Sequence, residues 1–153
     1  MPGFICEVTP HCNLACAFCY NTWRAPDAPH PPTLAPDALS ALLVRVSTES
    51  DASWITFAGG EPLLYDGLEH VVASVHHAVP QVRLGLATNG TLLTDEKLDS
   101  LVRAGIRHVE LPLFSASEER YRMLTGVDAL TAARMAMTRV KSRRLSLTVA
   151  SVL

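Results

Sequence analysis

The sequence predicts an α/β protein built on parallel strands, and three observations lead to this prediction. Strand-like and helix-like segments alternate along the 153 residues, as they do in parallel βα units with right-handed crossovers. Hydrophobic residues make up 48% of the chain and charged residues 18%, which is typical of a globular protein with its own core. Polar or glycine-rich runs follow the predicted strands, where such folds place their chemistry.

Five short segments have the composition of strands. The first, at about 3–8, contains Phe-Ile-Cys-Glu-Val and ends at Thr9-Pro10. The other four are predicted at about 53–57, 83–87, 108–113 and 145–153. Proline cannot donate to a strand ladder, so Pro112 within the fourth strand predicts a local bulge.

Amphipathic helices are predicted to connect these strands, at about 37–48, 68–79, 95–104, 117–124 and 129–143. Pro80 ends the second helix, Gly105 caps the end of the third and Ser117 caps the start of the fourth. Inward-facing residues recur at helical spacing: Leu39, Leu42, Leu43, Val46, Leu68, Val72, Val75, Val79, Leu130, Ala133, Met137 and Val140.

Charge and hydropathy give no reason to expect a nucleic-acid or membrane partner. The net charge is −2, and no apolar run approaches the length of a membrane span. The basic residues near the end of the last helix suit its C-terminal dipole and are interpreted as a solvated face: Arg134, Arg139, Lys141, Arg143 and Arg144. Met1-Pro-Gly lacks the features of a secretory signal, so we expect a cytoplasmic protein with reduced thiols.

Three cysteines, Cys12, Cys16 and Cys19, follow the first strand at offsets of four and three. Three thiolates can hold three irons of a [4Fe–4S] cluster and leave the fourth iron open to another ligand. A structural zinc site is the alternative, and it would need a fourth ligand from His11, His30 or Cys6, none of which stands at a familiar spacing. Cys6 lies within the first strand and is interpreted as a small buried hydrophobic residue.

Four polar features are predicted to share one edge of the sheet, because the carboxyl ends of parallel strands lie together. The cysteine run follows strand one, Gly59-Gly-Glu-Pro62 follows strand two, Thr88-Asn-Gly90 follows strand three and Ser115 follows strand four. This coincidence predicts a single active face.

The cysteine run and the Gly-Gly-Glu-Pro turn together resemble the radical S-adenosylmethionine (radical SAM) superfamily. The family signature is C-x₃-C-x₂-C with an aromatic residue before the last cysteine, and Phe18 fills that place. Its second signature is a Gly-Gly-Glu-Pro turn one βα unit later, which Gly59 to Pro62 match residue for residue. The resemblance covers the chain from about Phe4 to its end.

The resemblance implies a radical SAM enzyme in which Cys12, Cys16 and Cys19 bind a [4Fe–4S] cluster. S-adenosylmethionine would bind the open iron, and its reductive cleavage would give a 5′-deoxyadenosyl radical that abstracts hydrogen from a substrate. The implied cofactor-binding residues are Phe18, Gly59, Gly60, Glu61, Pro62, Asn89 and Ser115. In this picture the glycines let the backbone approach the methionyl group, and the Glu61 carboxylate meets its ammonium group.

The resemblance also implies a partial (β/α) barrel of the TIM type, and the chain departs from it in length. Eight-unit barrels take roughly 250 residues, so 153 residues hold about five units. Residues 1–153 therefore correspond to an incomplete core domain without the sixth βα unit, and a partner chain or missing C-terminal region is expected to cover strand five.

Partners and substrate are inferred from the same resemblance. An electron donor such as a flavodoxin or ferredoxin is implied, and the wording Gly-Gly-Glu-Pro-Leu-Leu and Asn-Gly-Thr-Leu-Leu resembles the branch that modifies peptides and proteins. Two alternatives remain at this point. One is a non-catalytic iron–sulfur or electron-transfer subunit, and the other is a structural zinc module.

Overall fold

Five parallel strands form one sheet in the computed structural model, which describes residues 2–21 and 32–151. The strands are β1 Gly3–Glu7, β2 Trp54–Ala58, β3 Arg83–Ala87, β4 Ile106–Pro112 and β5 Ser146–Ala150. They lie in the sheet in the order in which they occur in the chain, and every neighbouring pair is parallel. The predicted α/β class is confirmed.

Five α-helices connect the strands: α1 Pro36–Glu49, α2 Leu68–Ala78, α3 Asp95–Ala104, α4 Glu118–Thr125 and α5 Leu130–Ser142. A short 3-10 helix, Pro62–Leu64, follows β2. The predicted caps are confirmed: Ser117 accepts from the N–H of Arg120, and Gly105 adopts a φ of +131° at the end of α3. None of the helices in the described ranges is both long and apolar enough to cross a membrane.

The main core lies between the helices and one face of the sheet. Alternate strand residues such as Ile55, Phe57 and Leu86 are fully buried there. Most predicted inward-facing helix residues are buried or packed against this core, but Leu42 is 37% exposed, and the prediction for it is wrong. The inner face of α1 turns through Leu39, Ser40, Leu43 and Ser47 instead.

The other face of the sheet is the concave inner surface of an open barrel. Strand register aligns Thr56, Gly85 and His108 across its middle, and Glu110 lies two residues beyond His108 toward the carboxyl ends. Since β1 and β5 are the edge strands among the described residues, this surface is open on one side. Val149, on the helix side of β5, is 47% exposed.

The irregularity in β4 lies away from Pro112, so the predicted bulge there is wrong. The register between β3 and β4 shifts where Leu84 pairs with Ile106 and Gly85 with His108, which leaves Arg107 as the extra residue. Pro112 keeps regular register with Ala150 of β5. N–H groups alternate in direction along a strand, and the next N–H, of Leu113, points to β5. The missing N–H of Pro112 therefore faces the side where β3 has already ended.

Two of the basic residues near the end of α5 form ion pairs with acidic residues of α3. Arg139 binds the Asp95 carboxylate at 3.0 Å, and Arg143 contacts both Asp95 and Asp99. These guanidinium groups hold the pKa of Asp95 and Asp99 below the ordinary range. The pairs join α5 to α3 on the outer surface.

Candidate active site

Three of the four polar features predicted to share one edge of the sheet line a cavity of about 260 Å³ at the carboxyl ends of the strands. The cavity lining joins the cysteine loop, the glycine turn, the third-strand turn and the ends of β4 and β5: Cys12, Leu14, Cys16, Phe18, Cys19, Tyr20, Gly59, Gly60, Ala87, Thr88, Asn89, Glu110, Pro112, Phe114 and Ala150. Glu61, Pro62 and Ser115 are outside this lining set.

All three motif cysteines line this cavity, with Cys12 and Cys16 half-buried and Cys19 exposed. Two N–H groups point at the Cys12 sulfur, from Leu14 at 3.4 Å and from the Asn89 side chain at 3.9 Å. Such donors favour a thiolate, the form that binds iron. Within residues 2–21 and 32–151, no group of three His, Cys, Asp or Glu side chains lies close enough together to hold a single metal ion. An iron–sulfur cluster does not need such a group, because each thiolate binds a different iron.

Three further residues were considered from the sequence as zinc ligands, His11, His30 and Cys6, and two of them lie within the described residues. His30 lies outside the described residues. Cys6 is half-buried in β1 and packs against the main core, where burial raises the pKa of its thiol to about 11. A thiol held in this protonated form suits the predicted role of a small hydrophobic residue.

The cysteine loop is docked on the end of helix α4. The N–H groups of Ala15 and Ala17 donate to the last carbonyls of that helix, on Thr125 at 2.8 Å and Leu124 at 2.9 Å. Gly126 follows in the left-handed conformation, and a Cβ there would lie 2.7 Å from that of Ala15. The carbonyls that a helix leaves unpaired at its end are thus used to hold the loop that carries the cysteines.

The two glycines of the turn serve the contact with the cysteine loop. The N–H of Gly60 donates to the Thr9 carbonyl at 2.8 Å, and the N–H of Glu61 donates to the His11 carbonyl at 2.7 Å. A Cβ on Gly60 would overlap the His11 carbonyl oxygen, and one on Gly59 would overlap that of Thr9. Their missing side chains are therefore needed first for backbone-to-backbone packing, which then leaves both residues on the cavity wall.

The Glu61 carboxylate is fully buried next to the cavity wall, behind Thr88 and Asn89. One oxygen accepts hydrogen bonds from the Thr88 hydroxyl at 2.6 Å and the Leu63 N–H at 3.1 Å, and the other accepts from the Asn89 N–H at 2.8 Å. Burial raises the pKa of Glu61, and the three hydrogen bonds oppose that shift. The Glu61 carboxylate thus connects the second and third strand-end loops, and its contact with an ammonium group stays a prediction.

Asn89 connects three loops. Its N–H reaches Glu61, its side-chain amide donates to the Asn13 side chain at 2.9 Å, and its side-chain oxygen accepts from the Thr91 N–H and hydroxyl. The third-strand turn therefore does more than reverse the chain. It fixes the cysteine loop relative to the glycine turn.

Aromatic rings form one side of the cavity. Phe18, 41% exposed, packs edge-on against Phe114 with ring centroids 4.7 Å apart. Tyr20 donates to the Glu7 carboxylate at 2.7 Å, and this bond raises the pKa of Tyr20 to about 12. Ser115 lies just beyond these rings, where its hydroxyl accepts from the N–H of Ser117 at 3.0 Å.

The sequence did not single out Glu110, and it indicated Thr88 only as part of the third-strand turn. Glu110 places a carboxylate on the cavity wall, and no hydrogen bond or ion pair within the described chain occupies that carboxylate. Alternation along β4 could have found it, since His108, Glu110 and Pro112 share the inner face. Thr88, which binds Glu61, carries no comparable signal because its partner lies 27 residues earlier in the chain.

Curated relatives match most of this chain but only part of their own length. GTP 3′,8-cyclase from Stenotrophomonas maltophilia strain K279a is 36% identical over 125 residues, which covers 81% of this chain and 37% of the relative. GTP 3′,8-cyclase 2 from Mycobacterium tuberculosis strain H37Rv is 32% identical over 124 residues, which covers 81% and 34%. The chain thus spans about a third of the length of these relatives.

Solved structures share the fold. Native anSMEcpe with bound AdoMet superposes with a TM-score of 0.76 at 21% identity, covering 96% of this chain and 43% of that one. Streptococcus suis SuiB bound to the precursor peptide SuiA gives 0.79 at 14% identity, covering 96% and 32%. The sequence also matches the model of the Radical SAM superfamily over residues 6–152. The chain belongs to the radical SAM superfamily.

Proposed function

We propose that this chain is the cofactor-binding part of a radical SAM enzyme, with Cys12, Cys16 and Cys19 as ligands of a [4Fe–4S] cluster. The observation that carries the proposal is the shared cavity, which brings the three cysteines together with Gly59, Gly60 and Asn89. The N–H donors at the Cys12 sulfur fit a thiolate ligand. When bound, cluster and S-adenosylmethionine together supply reductive cleavage of a carbon–sulfur bond and hydrogen abstraction from a substrate.

The chain's own residues hold and shelter these groups. Gly59 and Gly60 present backbone to the methionyl part of S-adenosylmethionine, and Phe18 shields the cavity from water together with Phe114. Glu61, Pro62 and Asn89 set the shape of the wall behind the cofactor. Ser115 is proposed only as a neighbour of the ribose, since it lies beyond the lining of the cavity.

Beside Glu61, Glu110 is a second acid that offers its carboxylate to the cofactor. S-adenosylmethionine carries a positive sulfonium and an ammonium group, and a carboxylate in a partly closed cavity favours such a ligand. The Glu61 carboxylate already accepts three hydrogen bonds inside the fold, whereas the Glu110 carboxylate is on the cavity wall.

For the substrate we propose a peptide or protein, because the sequences Gly-Gly-Glu-Pro-Leu-Leu and Asn-Gly-Thr-Leu-Leu resemble those of the branch that modifies peptides and proteins. The curated relatives supply a rival, GTP, through their names. We further propose that residues 1–153 form an incomplete core domain and that a partner or further chain covers β5. The proposed electron donor is a flavodoxin or ferredoxin, and the proposed location is the cytoplasm.

The test is anaerobic reconstitution with iron and sulfide, followed by addition of dithionite and S-adenosylmethionine. We expect four irons per chain and 5′-deoxyadenosine that disappears in Cys16→Ala. Cys6→Ala is the matched control, because that thiol lies in the core, and it should keep both iron and product. A full cluster without product would indicate a non-catalytic iron–sulfur subunit. Stoichiometric zinc without iron would refute cluster binding.

A further inference from the structure

Tyr121 carries a buried hydroxyl that has no hydrogen-bond partner in the described part of the chain. The residue lies in α4, and its side chain is completely inaccessible to solvent. Tyrosine hydroxyls that are buried almost always find a partner, so an orphan of this kind needs an explanation, such as a group bound to the protein.

The surroundings of Tyr121 point to the cysteine loop. Its ring packs in a small hydrophobic cluster with Leu14, and the half-buried Cys12 and Cys16 pack against the same cluster. Phe114, which also lines the candidate cavity, lies with its ring centroid 5.9 Å from that of Tyr121. A tyrosine hydroxyl is protonated near neutral pH, so it has a proton to donate.

Packing alone does not account for the hydroxyl. A phenylalanine would fill the same space in this apolar cluster without a buried polar atom. Once Cys12 and Cys16 are ligands of a cluster, their negatively charged sulfurs would be hydrogen-bond acceptors close to the Tyr121 side chain.

We infer that the Tyr121 hydroxyl donates a hydrogen bond to a sulfur at the Cys16 side of the bound cluster and raises its reduction potential. The inference rests on the proposed function. Hydrogen bonds to the sulfurs are one of the factors that set the potential of iron–sulfur clusters. A donor favours the reduced state because the added electron increases the negative charge on the sulfurs. Tyr121 is thus a positioning and tuning residue rather than a catalytic one.

The experiment compares Tyr121→Phe with Tyr65→Phe in reconstituted protein. Tyr65 is also buried, with 6% of its surface exposed, but its hydroxyl already donates to the Leu34 carbonyl at 2.7 Å. We expect the midpoint potential of Tyr121→Phe to fall so that the ratio of reduced to oxidised cluster changes about tenfold, which is ~59 mV for one electron. The Tyr65→Phe protein should keep the wild-type potential.

Two further readouts separate a tuning role from a structural one. In D₂O, the reduced wild-type cluster should show an exchangeable deuteron in electron–nuclear double resonance that Tyr121→Phe lacks. Without the cluster, Tyr121→Phe should melt at or above the wild-type temperature, and Tyr65→Phe below it. An unchanged potential and deuteron signal in Tyr121→Phe would overturn the inference. Failure of the wild type to take up four irons would refute the proposed function itself.

Discussion

Replacing Gly60 by alanine should loosen the cysteine loop without touching a cluster ligand. The new Cβ would overlap the His11 carbonyl oxygen and lie 2.7 Å from that of Pro10. Both are backbone atoms, so the turn must move and weaken the hydrogen bonds from Gly60 to Thr9 and from Glu61 to His11. Overpacking costs about 1–3 kcal/mol. Weakening two hydrogen bonds lowers the free energy of unfolding by about a further 1–2 kcal/mol. Alanine also reduces the flexibility of the unfolded chain, which raises the free energy of unfolding by about 0.4–1 kcal/mol.

The net expectation for Gly60→Ala is a loss of about 1–5 kcal/mol in the free energy of unfolding, or roughly 2–18 °C in Tm. Thermal melting of the apoprotein measures it, and iron content after reconstitution should fall in parallel. Gly85→Ala is the control, because a Cβ there stays 3.3 Å or more from all neighbours, which are side chains. Wild-type stability and iron content in Gly60→Ala would refute the view that the glycines serve the loop contact.

Two further predictions concern the carboxylates. Glu61→Gln should destabilise the fold, since an amide nitrogen would face one of the three donors that the carboxylate accepts. Burial raises the folded-state pKa of Glu61. The free energy of unfolding of the wild type should therefore exceed that of this variant most below about pH 4, and the excess should shrink as the pH rises through the folded-state pKa. Denaturant titrations from about pH 4 to 8 measure this excess, and an excess that grew with pH would contradict the prediction. Glu110→Gln should bind S-adenosylmethionine about tenfold more weakly in equilibrium dialysis of cluster-loaded protein. Neutral S-adenosylhomocysteine should be affected less, and an equal loss for both would exclude the charge as the cause.

Local patterns predicted the elements and the edge of the sheet that carries the site. The bounds of β3 and α3 agree with the structure residue for residue, because their apolar spacing, the Asn-Gly turn and the Gly105 cap are all local signals. The meeting of the four loops followed from parallel topology alone. The cysteines and Gly59–Gly60 were recognisable because their residue types and spacing are rare outside one chemistry.

Contacts between distant residues account for what the sequence could not reveal. The direction of the Glu61 side chain depends on Thr88 and Asn89, and the place of Gly60 depends on a carbonyl 49 residues earlier. Pro112 fits a regular strand because β3 is shorter than β4, which no property of Pro112 encodes. The unpaired hydroxyl of Tyr121 likewise becomes visible only when its burial is known.

The docking of the cysteine loop on α4 has a consequence for the order of assembly. Ala15 and Ala17 bind carbonyls more than a hundred residues later, so closing this contact requires nearly the whole described chain to be in place. The cysteines emerge from the ribosome well before the helix that supports their loop. Iron and sulfur delivered in that interval would meet an unanchored loop, so we expect stable loading to follow the folding of α4. Pulse-labelled chains released before α4 is complete should hold no iron.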